Sequence, residues 1–238
     1  RFVLHELIGE SSLQACPAHG EYSLEIADAI LEEAAKFAET VLDPLYKSGD
    51  RDGARWTPEG VIGAPGFKAA YQQYAEGGWP SLRASPHFGG QGVPNVVGTA
   101  VEEIWAASNL AFKLCPMLTQ GAIEALEHYG SDAQKAQYLP KMVSGEWTGT
   151  MNLTEPQAGS DLSLVNTRAE PVSPDAASDF ADGALVELGE CYRLHGQKIF
   201  ITYGEHDLAE NIIHLVLART PGAPEGVRGL SLFIVPKY

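Results

Sequence analysis

The amino-acid sequence predicts an α+β protein, with an N-terminal all-α helical domain followed by an antiparallel β-barrel or sandwich domain. Up to residue 146 apolar residues recur at helical spacing, whereas from Trp147 onward they alternate or run continuously, as in strands. The strand-like runs follow one another about every ten residues without intervening helical patterns, which is typical of an antiparallel barrel or sandwich. Helices first and strands second indicate two domains, which we place at residues 1–146 and 147–238.

The helical half begins with a short helix, which Phe2, Leu4, Leu7 and Ile8 predict and which Gly9 ends. Ser23 is a suitable N-cap for a long helix that reaches about Leu42. Four apolar residues predict the buried face of that helix, namely Ile26, Ile30, Phe37 and Val41. Residues 47–66 are rich in turn formers and lack any period, so a surface loop is predicted there.

Further helices are predicted at residues 67–76, 95–107, 121–129 and 132–143. Residues 109–120, between two of these helices, are apolar but uneven and contain Cys115-Pro116. Pro140 is expected to kink or shorten the last helix, because proline removes an intrahelical hydrogen bond.

The β half opens on residues 147–154, where apolar and hydroxyl-bearing side chains alternate. Other strands are predicted at residues 184–188, 191–195, 198–202, 211–218 and 230–235, with a polar loop at residues 171–183. Pro156 ends the first strand, and Gly159, Ser160 and Asp161 form a polar turn. Taken alone, these residues indicate either a hairpin turn without a ligand, which is the commoner case, or a site for a flat, phosphate-bearing ligand.

Composition excludes several function classes. The net charge of −15 argues against nucleic-acid binding, since no basic stripe is present. The three cysteines and seven histidines show no metal-ligand spacing, so we predict no metal site. An odd number of cysteines fits a reducing compartment, hence a cytoplasmic protein, and no apolar run is long enough to span a bilayer. The chain begins at Arg1 and ends just after a strand-like run, so we expect a piece of a longer polypeptide.

Two motifs carry a specific resemblance. LTEPQAGSD at residues 153–161 and GQKIFIT at residues 196–202 resemble the flavin-binding signatures of the acyl-CoA dehydrogenase family. HFGGQGV, HYGSDAQKAQYLPKMVSGEW and GLSLFIVPK are similar to other parts of that family, in the right order and at the right spacing. GEHDLAEN and the RFVLHEL start look most like the longer-chain branch that includes 3-methylmercaptopropionyl-CoA dehydrogenases.

The resemblance implies a helical domain, a middle β-barrel domain and a C-terminal helical bundle that this sequence lacks. It also implies FAD, an acyl-CoA substrate, α,β-dehydrogenation, an electron-transfer flavoprotein as acceptor, and a homodimer or homotetramer. The catalytic base in this family is a carboxylate of the C-terminal domain, so it is expected beyond Tyr238 and no catalytic residue is assigned here. The 238 residues alone are therefore expected to be inactive and to bind FAD weakly or not at all. The alternatives are a non-catalytic flavin-fold binding module and an acyl-CoA oxidase-type flavoenzyme.

The resemblance also assigns cofactor-binding residues, position by position. It implies that Met151, Leu153 and Thr154 line the flavin ring, that Gly159 and Ser160 meet the pyrophosphate, and that Phe200, Ile201 and Thr202 cover the rest of the ring. Leu153 and Ile201 are equally explained as plain core. Phe200 stands where many members have Trp, which keeps stacking and loses an indole N–H. Asp161 beside a pyrophosphate would be repulsive, so we expect it to turn away and brace its loop.

The resemblance is less specific for the residues that contact the substrate than for those that bind the cofactor. Ser160 is placed near the CoA arm, and Leu114, Met117 and Leu118 are placed along the acyl chain. For the last three residues an ordinary core role is equally compatible with the sequence.

Overall fold

A computed structural model describes residues 1–19, 22–173 and 190–238. They form two compact units. One comprises residues 1–117, 143–146 and 205–209, and the other comprises residues 118–142, 147–204 and 210–238. The second unit thus combines helical residues 118–142 with the strands that follow residue 146, whereas the division of domains at residue 146 stays a prediction. No helix in the described ranges has the length and apolar character needed to cross a membrane.

Helices dominate the first half of the chain. The α-helices are α1 (Glu10–Gln14), α2 (Leu24–Phe37), α3 (Tyr46–Asp52), α4 (Phe67–Glu76), α5 (Asn95–Tyr129) and α6 (Asp132–Ser144). Two π-helical segments, Val3–Ile8 and Ala38–Leu42, precede α1 and continue α2. Short 3₁₀ turns occur at Pro17–His19, Asp43–Leu45, Trp79–Ser81, Pro86–Phe88, Leu162–Leu164 and Val227–Gly229.

Helix α2 begins where predicted, but its most buried face differs from the predicted one. The Ser23 hydroxyl accepts a hydrogen bond from the Ile26 amide at 3.3 Å, as an N-cap should. Its buried residues and those of its extension are Ala27, Leu31, Ala34, Ala38 and Leu42, whereas Ile26 is 47% exposed. The prediction was therefore wrong for Ile26, whereas Ile30, Phe37 and Val41 are half-buried beside the most buried residues. Phe37 packs against Trp105 with 5.8 Å between ring centres, and the Trp105 indole N–H donates to the Ala34 carbonyl at 3.1 Å.

Two predicted irregular segments are more regular than the sequence indicates. Residues 47–66 contain most of α3 and a hairpin of β1 (Arg55–Thr57) with β2 (Gly60–Ile62), so the loop prediction was wrong for these parts. Residues 110–120 are helical within α5, which is broken only at Asn109 (φ −153°, ψ 86°). The Asn109 amide nitrogen donates to the Leu42 carbonyl and its oxygen accepts from the Phe112 amide, so this residue caps the second part of α5.

The strands confirm the α+β class and correct one pairing. A three-stranded sheet has the order β3 (Trp147–Asn152), β6 (Asn211–Ala218), β7 (Ser231–Pro236), and β4 (Arg168–Pro171) pairs with β5 (Tyr192–His195). β6–β7 and β4–β5 are antiparallel, but β3–β6 is parallel, so the expected antiparallel pairing does not hold throughout. Period alone cannot distinguish the two pairings for continuous apolar strands. The strand predicted at residues 184–188 lies outside the described residues.

Gly149, in β3, lies where the strand touches two helices. A Cβ added there would lie 2.6 Å from the Ala122 Cβ and 2.8 Å from the Met142 Cε. Gly149→Ala is therefore expected to lower the free energy of unfolding by about 1–3 kcal/mol through overpacking. Gly121→Ala is the matched control, since an added Cβ meets nothing within 4 Å. Urea denaturation of both variants measures the difference, and equal midpoints would contradict the prediction.

Candidate functional site

The hydroxyl face of β3 is turned into the protein. Thr148 and Thr150 are fully buried. The Thr150 hydroxyl lies 2.7 Å from the Asn152 side-chain oxygen and 2.7 Å from the His214 Nδ1, and the Thr148 hydroxyl donates to the Asn211 carbonyl. These two hydroxyls are held within the sheet, so a ligand can meet only the residues that follow, from Met151 onward.

The polar turn after β3 is open to solvent. Glu155 and Ala158 exchange two backbone hydrogen bonds of 2.8 and 3.0 Å, which reverses the chain at Pro156. Gly159 and Ser160 follow and are exposed, and a Cβ added at Gly159 would meet nothing within 4 Å. Gly159 lies outside the left-handed region, so open space rather than a positive φ distinguishes this position.

Asp161 turns away from the open part of this loop, as expected. Its carboxylate accepts a hydrogen bond from the Ser163 amide at 2.9 Å and caps the 3₁₀ turn Leu162–Leu164. Hydrogen bonding from Ser163 lowers the pKa of this carboxyl, so the group is held as an anion by its own loop. The acidic side chain is therefore used within the turn.

Glu155 is a buried carboxylate that receives five hydrogen bonds. It is 3% exposed. Its donors are the Asn166 amide (2.7 Å), the Thr167 amide (3.1 Å), the Thr167 hydroxyl (2.5 Å), the Gln157 side-chain amide (2.6 Å) and the Lys198 ammonium (2.8 Å). Burial by itself raises the pKa of the carboxyl, but the hydrogen bonds outweigh burial and lower the pKa to about 2.

Lys198 and Ile199 bring the two sequence motifs together. The Lys198 ammonium donates to the Leu153 carbonyl at 3.0 Å as well as to Glu155. The Ile199 amide donates to the Thr154 carbonyl at 3.0 Å. The two predicted flavin-lining segments, 151–154 and 200–202, are thus held next to each other by one ammonium and one amide.

Residues 198–202 are not the strand that was predicted. Phe200 and Tyr203 have φ values of 57° and 52°, which is the left-handed region, and such residues interrupt a ladder. The Gly204 amide closes a turn on the Ile201 carbonyl at 3.1 Å. The β-like run KIFIT suggested a strand. A left-handed conformation at a bulky residue has no pattern in the sequence, so this turn could not be predicted from it.

This turn presents an aromatic side chain to solvent. Phe200 is 89% exposed, and Ile201 and Thr202 are half-buried beside it. Met151, Leu153 and Thr154 are likewise half-buried. The structure thus gathers part-exposed apolar groups from both motifs, and neither Leu153 nor Ile201 is fully enclosed as a core residue would be.

The predicted substrate residues share one face of α5. Leu114, Met117 and Leu118 are three and four positions apart, which places them side by side on a helix. Met117 is 38% exposed, and the other two are half-buried. Their role along an acyl chain stays a prediction, as does the role of Ser160.

Sequence reasoning missed three residues that support the site. Thr167 and Lys198 complete the Glu155 cluster, and only the place of Lys198 inside the GQKIFIT motif could have indicated it. Arg219 directly follows β6 and donates to four backbone carbonyls. No local sequence pattern predicts this role. The partners of Arg219 are Ser163 (2.7 Å), Val165 (2.7 Å), Gly226 (2.8 Å) and Pro224 (3.3 Å).

Removing the Arg219 guanidinium should loosen the loop that follows Gly159. Arg219→Met leaves four carbonyls without this donor, so the free energy of unfolding should fall by about 1–3 kcal/mol. Hydrogen exchange at residues 163–169 and 219–229 should accelerate together, since both are tied to this side chain. Arg228→Met, at an exposed position, is the control and should leave exchange unchanged. Equal exchange in the two variants would rule out this role.

The described ranges contain no cluster of three histidine, cysteine, aspartate or glutamate side chains that could hold a metal ion. What the site offers is a buried ion pair, an open glycine-serine turn and a group of part-exposed apolar side chains.

The chain is similar in sequence and in structure to known proteins. The sequence is 50% identical over 236 residues to a 3-methylmercaptopropionyl-CoA dehydrogenase of Ruegeria pomeroyi, which covers 99% of this chain and 38% of that protein. It is 35% identical to a butyryl-CoA dehydrogenase of Syntrophomonas wolfei, over 100% of this chain and 37% of that protein. A structure of PigA with FAD and proline is similar with a TM-score of 0.65 and 25% identity, over 89% of this chain and 48% of PigA.

The chain thus spans less than two fifths of the length of these curated relatives. The sequence family described as the acyl-CoA dehydrogenase N-terminal domain matches residues 25–146, which is just over half of the chain. On this match, the chain belongs to the acyl-CoA dehydrogenase family.

Proposed function

We propose that this chain forms the N-terminal and middle parts of an FAD-dependent acyl-CoA dehydrogenase. The whole protein would oxidise an acyl-CoA thioester to the 2,3-enoyl-CoA and pass a hydride to the flavin. The observation that supports this most directly is the contact of residues 198–199 with Leu153–Glu155, since it joins the two motifs of the family at one place. The named activities of the relatives support the same proposal.

The residues at this place fit a flavin. An isoalloxazine ring needs an apolar wall, and Met151, Leu153 and the exposed Phe200 ring offer one. A pyrophosphate needs N–H groups and room, and the amides of Gly159 and Ser160 make no hydrogen bond to residues 1–19, 22–173 or 190–238. FAD, when bound, supplies the acceptor for the hydride. The Thr202 hydroxyl is proposed to face the flavin nitrogen that receives it.

The base that removes the α-proton is proposed to come from outside residues 1–238. Glu155 is the tempting carboxylate within the site, but its pKa of about 2 makes it a poor proton acceptor near neutral pH. Its oxygens are also committed to five donors. Glu155 is therefore a structural anion, and the chain's own residues hold and orient rather than take the proton.

The rest of the proposal follows the family resemblance. Leu114, Met117 and Leu118 would wall the acyl chain, and Ser160 would lie near the CoA arm. An electron-transfer flavoprotein would be the acceptor, and the protein would be a cytoplasmic homodimer or homotetramer.

The test uses the full-length protein. Purified protein should carry about one FAD per chain, and an anaerobic panel of acyl-CoA thioesters should bleach the flavin absorbance. The panel includes methylthiopropanoyl-CoA and butyryl-CoA, because relatives are named for both acyl groups. Turnover is then followed with a ferrocenium-type acceptor. Flavin without bleaching by any thioester would favour a binding module, and rapid reoxidation of the reduced protein by oxygen would favour an oxidase.

A further inference from the structure

We propose that Glu155 and Lys198 are positioning residues, which hold Phe200 in its exposed left-handed conformation and so place the ring against the flavin. The inference rests on the proposed function. We call the pair the Glu155–Lys198 clamp. Neither residue touches the flavin in this proposal, so both act through the segment they hold.

The first argument is burial. The carboxylate is 3% exposed and the lysine side chain 10% exposed. Removing one member of a buried ion pair leaves the other charge buried without compensation, so each partner holds the other in place. Here the lysine also donates to the Leu153 carbonyl, which fixes its ammonium against the chain that continues β3.

The second argument is backbone strain next to the clamp. Phe200 has φ 57°, which is uncommon for a bulky residue and persists only when neighbouring contacts impose it. The Phe200 ring is too exposed to provide those contacts itself. The attachments that precede it are the Lys198 ammonium and the Ile199 amide, two residues and one residue before Phe200. On the other side, the Gly204 amide closes the turn.

The third argument is the position of the ring. A buried phenylalanine would be explained by packing, but an exposed one in a strained conformation is explained by a partner. Holding a side chain in its binding conformation before the ligand arrives raises affinity, because less freedom is lost on binding. The clamp therefore supplies preorganisation to the flavin site.

The experiment measures the FAD dissociation constant of the full-length protein after deflavination. Lys198→Met is expected to raise it about tenfold, equivalent to about 1.4 kcal/mol, with a shifted visible flavin spectrum. Tyr71→Phe is the control: it removes a buried hydrogen bond from the Tyr71 hydroxyl to the Gly145 carbonyl, which involves neither Glu155, Lys198 nor residues 199–202. It should lower stability while leaving the FAD dissociation constant within about twofold.

A double-mutant cycle separates positioning from bulk stability. Phe200→Gly removes the strain, because glycine adopts positive φ readily. Hydrogen exchange of residues 199–204 should accelerate in Lys198→Met but respond less to the same change in the Phe200→Gly background. Should Lys198→Met fail to fold, Glu155→Gln carries the same test, since glutamine keeps the volume but removes the charge that holds the Lys198 ammonium.

The outcomes are distinguishable. Wild-type protein that binds no FAD overturns the proposed function. Wild-type protein that binds FAD, with an unchanged dissociation constant in the clamp variants, overturns this inference alone. Equal weakening in the Tyr71→Phe control also overturns it, since lower stability would then be the cause. Selective weakening in the clamp variants, with a non-additive cycle, supports it.

Discussion

Replacing Trp105 with alanine is expected to lower the free energy of unfolding by about 3–5 kcal/mol. The indole is buried, and its ring centre lies 5.0 Å from Trp79, 5.6 Å from Tyr74 and 5.8 Å from Phe37. Alanine leaves a cavity among these rings and removes the hydrogen bond to the Ala34 carbonyl. Because α2 and α5 meet at this residue, the expected loss of stability is larger than that from removing any single surface contact.

The matched control is Trp56→Ala. Trp56 is 75% exposed in the β1–β2 hairpin, so its removal should change the free energy of unfolding by no more than about 0.5 kcal/mol. Urea denaturation followed by circular dichroism measures both variants, and hydrogen exchange in α2 and α5 locates the effect. Equal stability of the two variants would show that the aromatic cluster contributes little.

Glu155 is expected to make the protein acid-sensitive. Its pKa is about 2 in the folded chain against an ordinary value of 4.5, so the stabilisation is present above pH 4.5 and is lost as the pH falls towards 2. A difference of this size corresponds to about 3 kcal/mol. Denaturation midpoints measured between about pH 5 and pH 2 should therefore fall with a slope that reports one additional proton bound on unfolding.

Glu155→Gln identifies the source of that slope. It should destabilise the protein near neutral pH, because Lys198 loses its counter-charge, and it should flatten the acid dependence by about one proton. Glu170→Gln is the control, since this carboxylate is 52% exposed and lies 3.8 Å from His195. If both variants keep the wild-type slope, the acid sensitivity comes from other carboxyls.

Local signals explain most of what the sequence predicted about the fold. The Ser23 cap, the helix Phe67–Glu76 and the strands β6 and β7 each depend on a period or cap within one short segment. The most buried face of α2 depends instead on a distant tryptophan, whose indole N–H reaches the Ala34 carbonyl where alanine allows a close approach. The parallel β3–β6 pairing likewise cannot be predicted from the sequence of either strand alone.

The candidate site likewise combines features that the sequence predicted with features that depend on distant residues. The two motifs were identified from their residues, and the structure brings them together at Leu153–Glu155. The roles of the flavin-lining and acyl-wall residues stay predictions. The sequence could not indicate the left-handed turn at Phe200 or the four-carbonyl contact of Arg219, because both depend on partners outside the local segment.

The parallel pairing of β3 with β6 has a consequence for the order of folding. Thr150 pairs with His214, 64 residues later, whereas β6 and β7 are joined by the short segment 219–230. Closing a long loop costs more chain entropy than closing a short one, so the β6–β7 hairpin should form first and β3 should dock later. The residues that follow β3 then reach their places late. A ligand held there stabilises the protein by slowing its unfolding, with little gain in the folding rate.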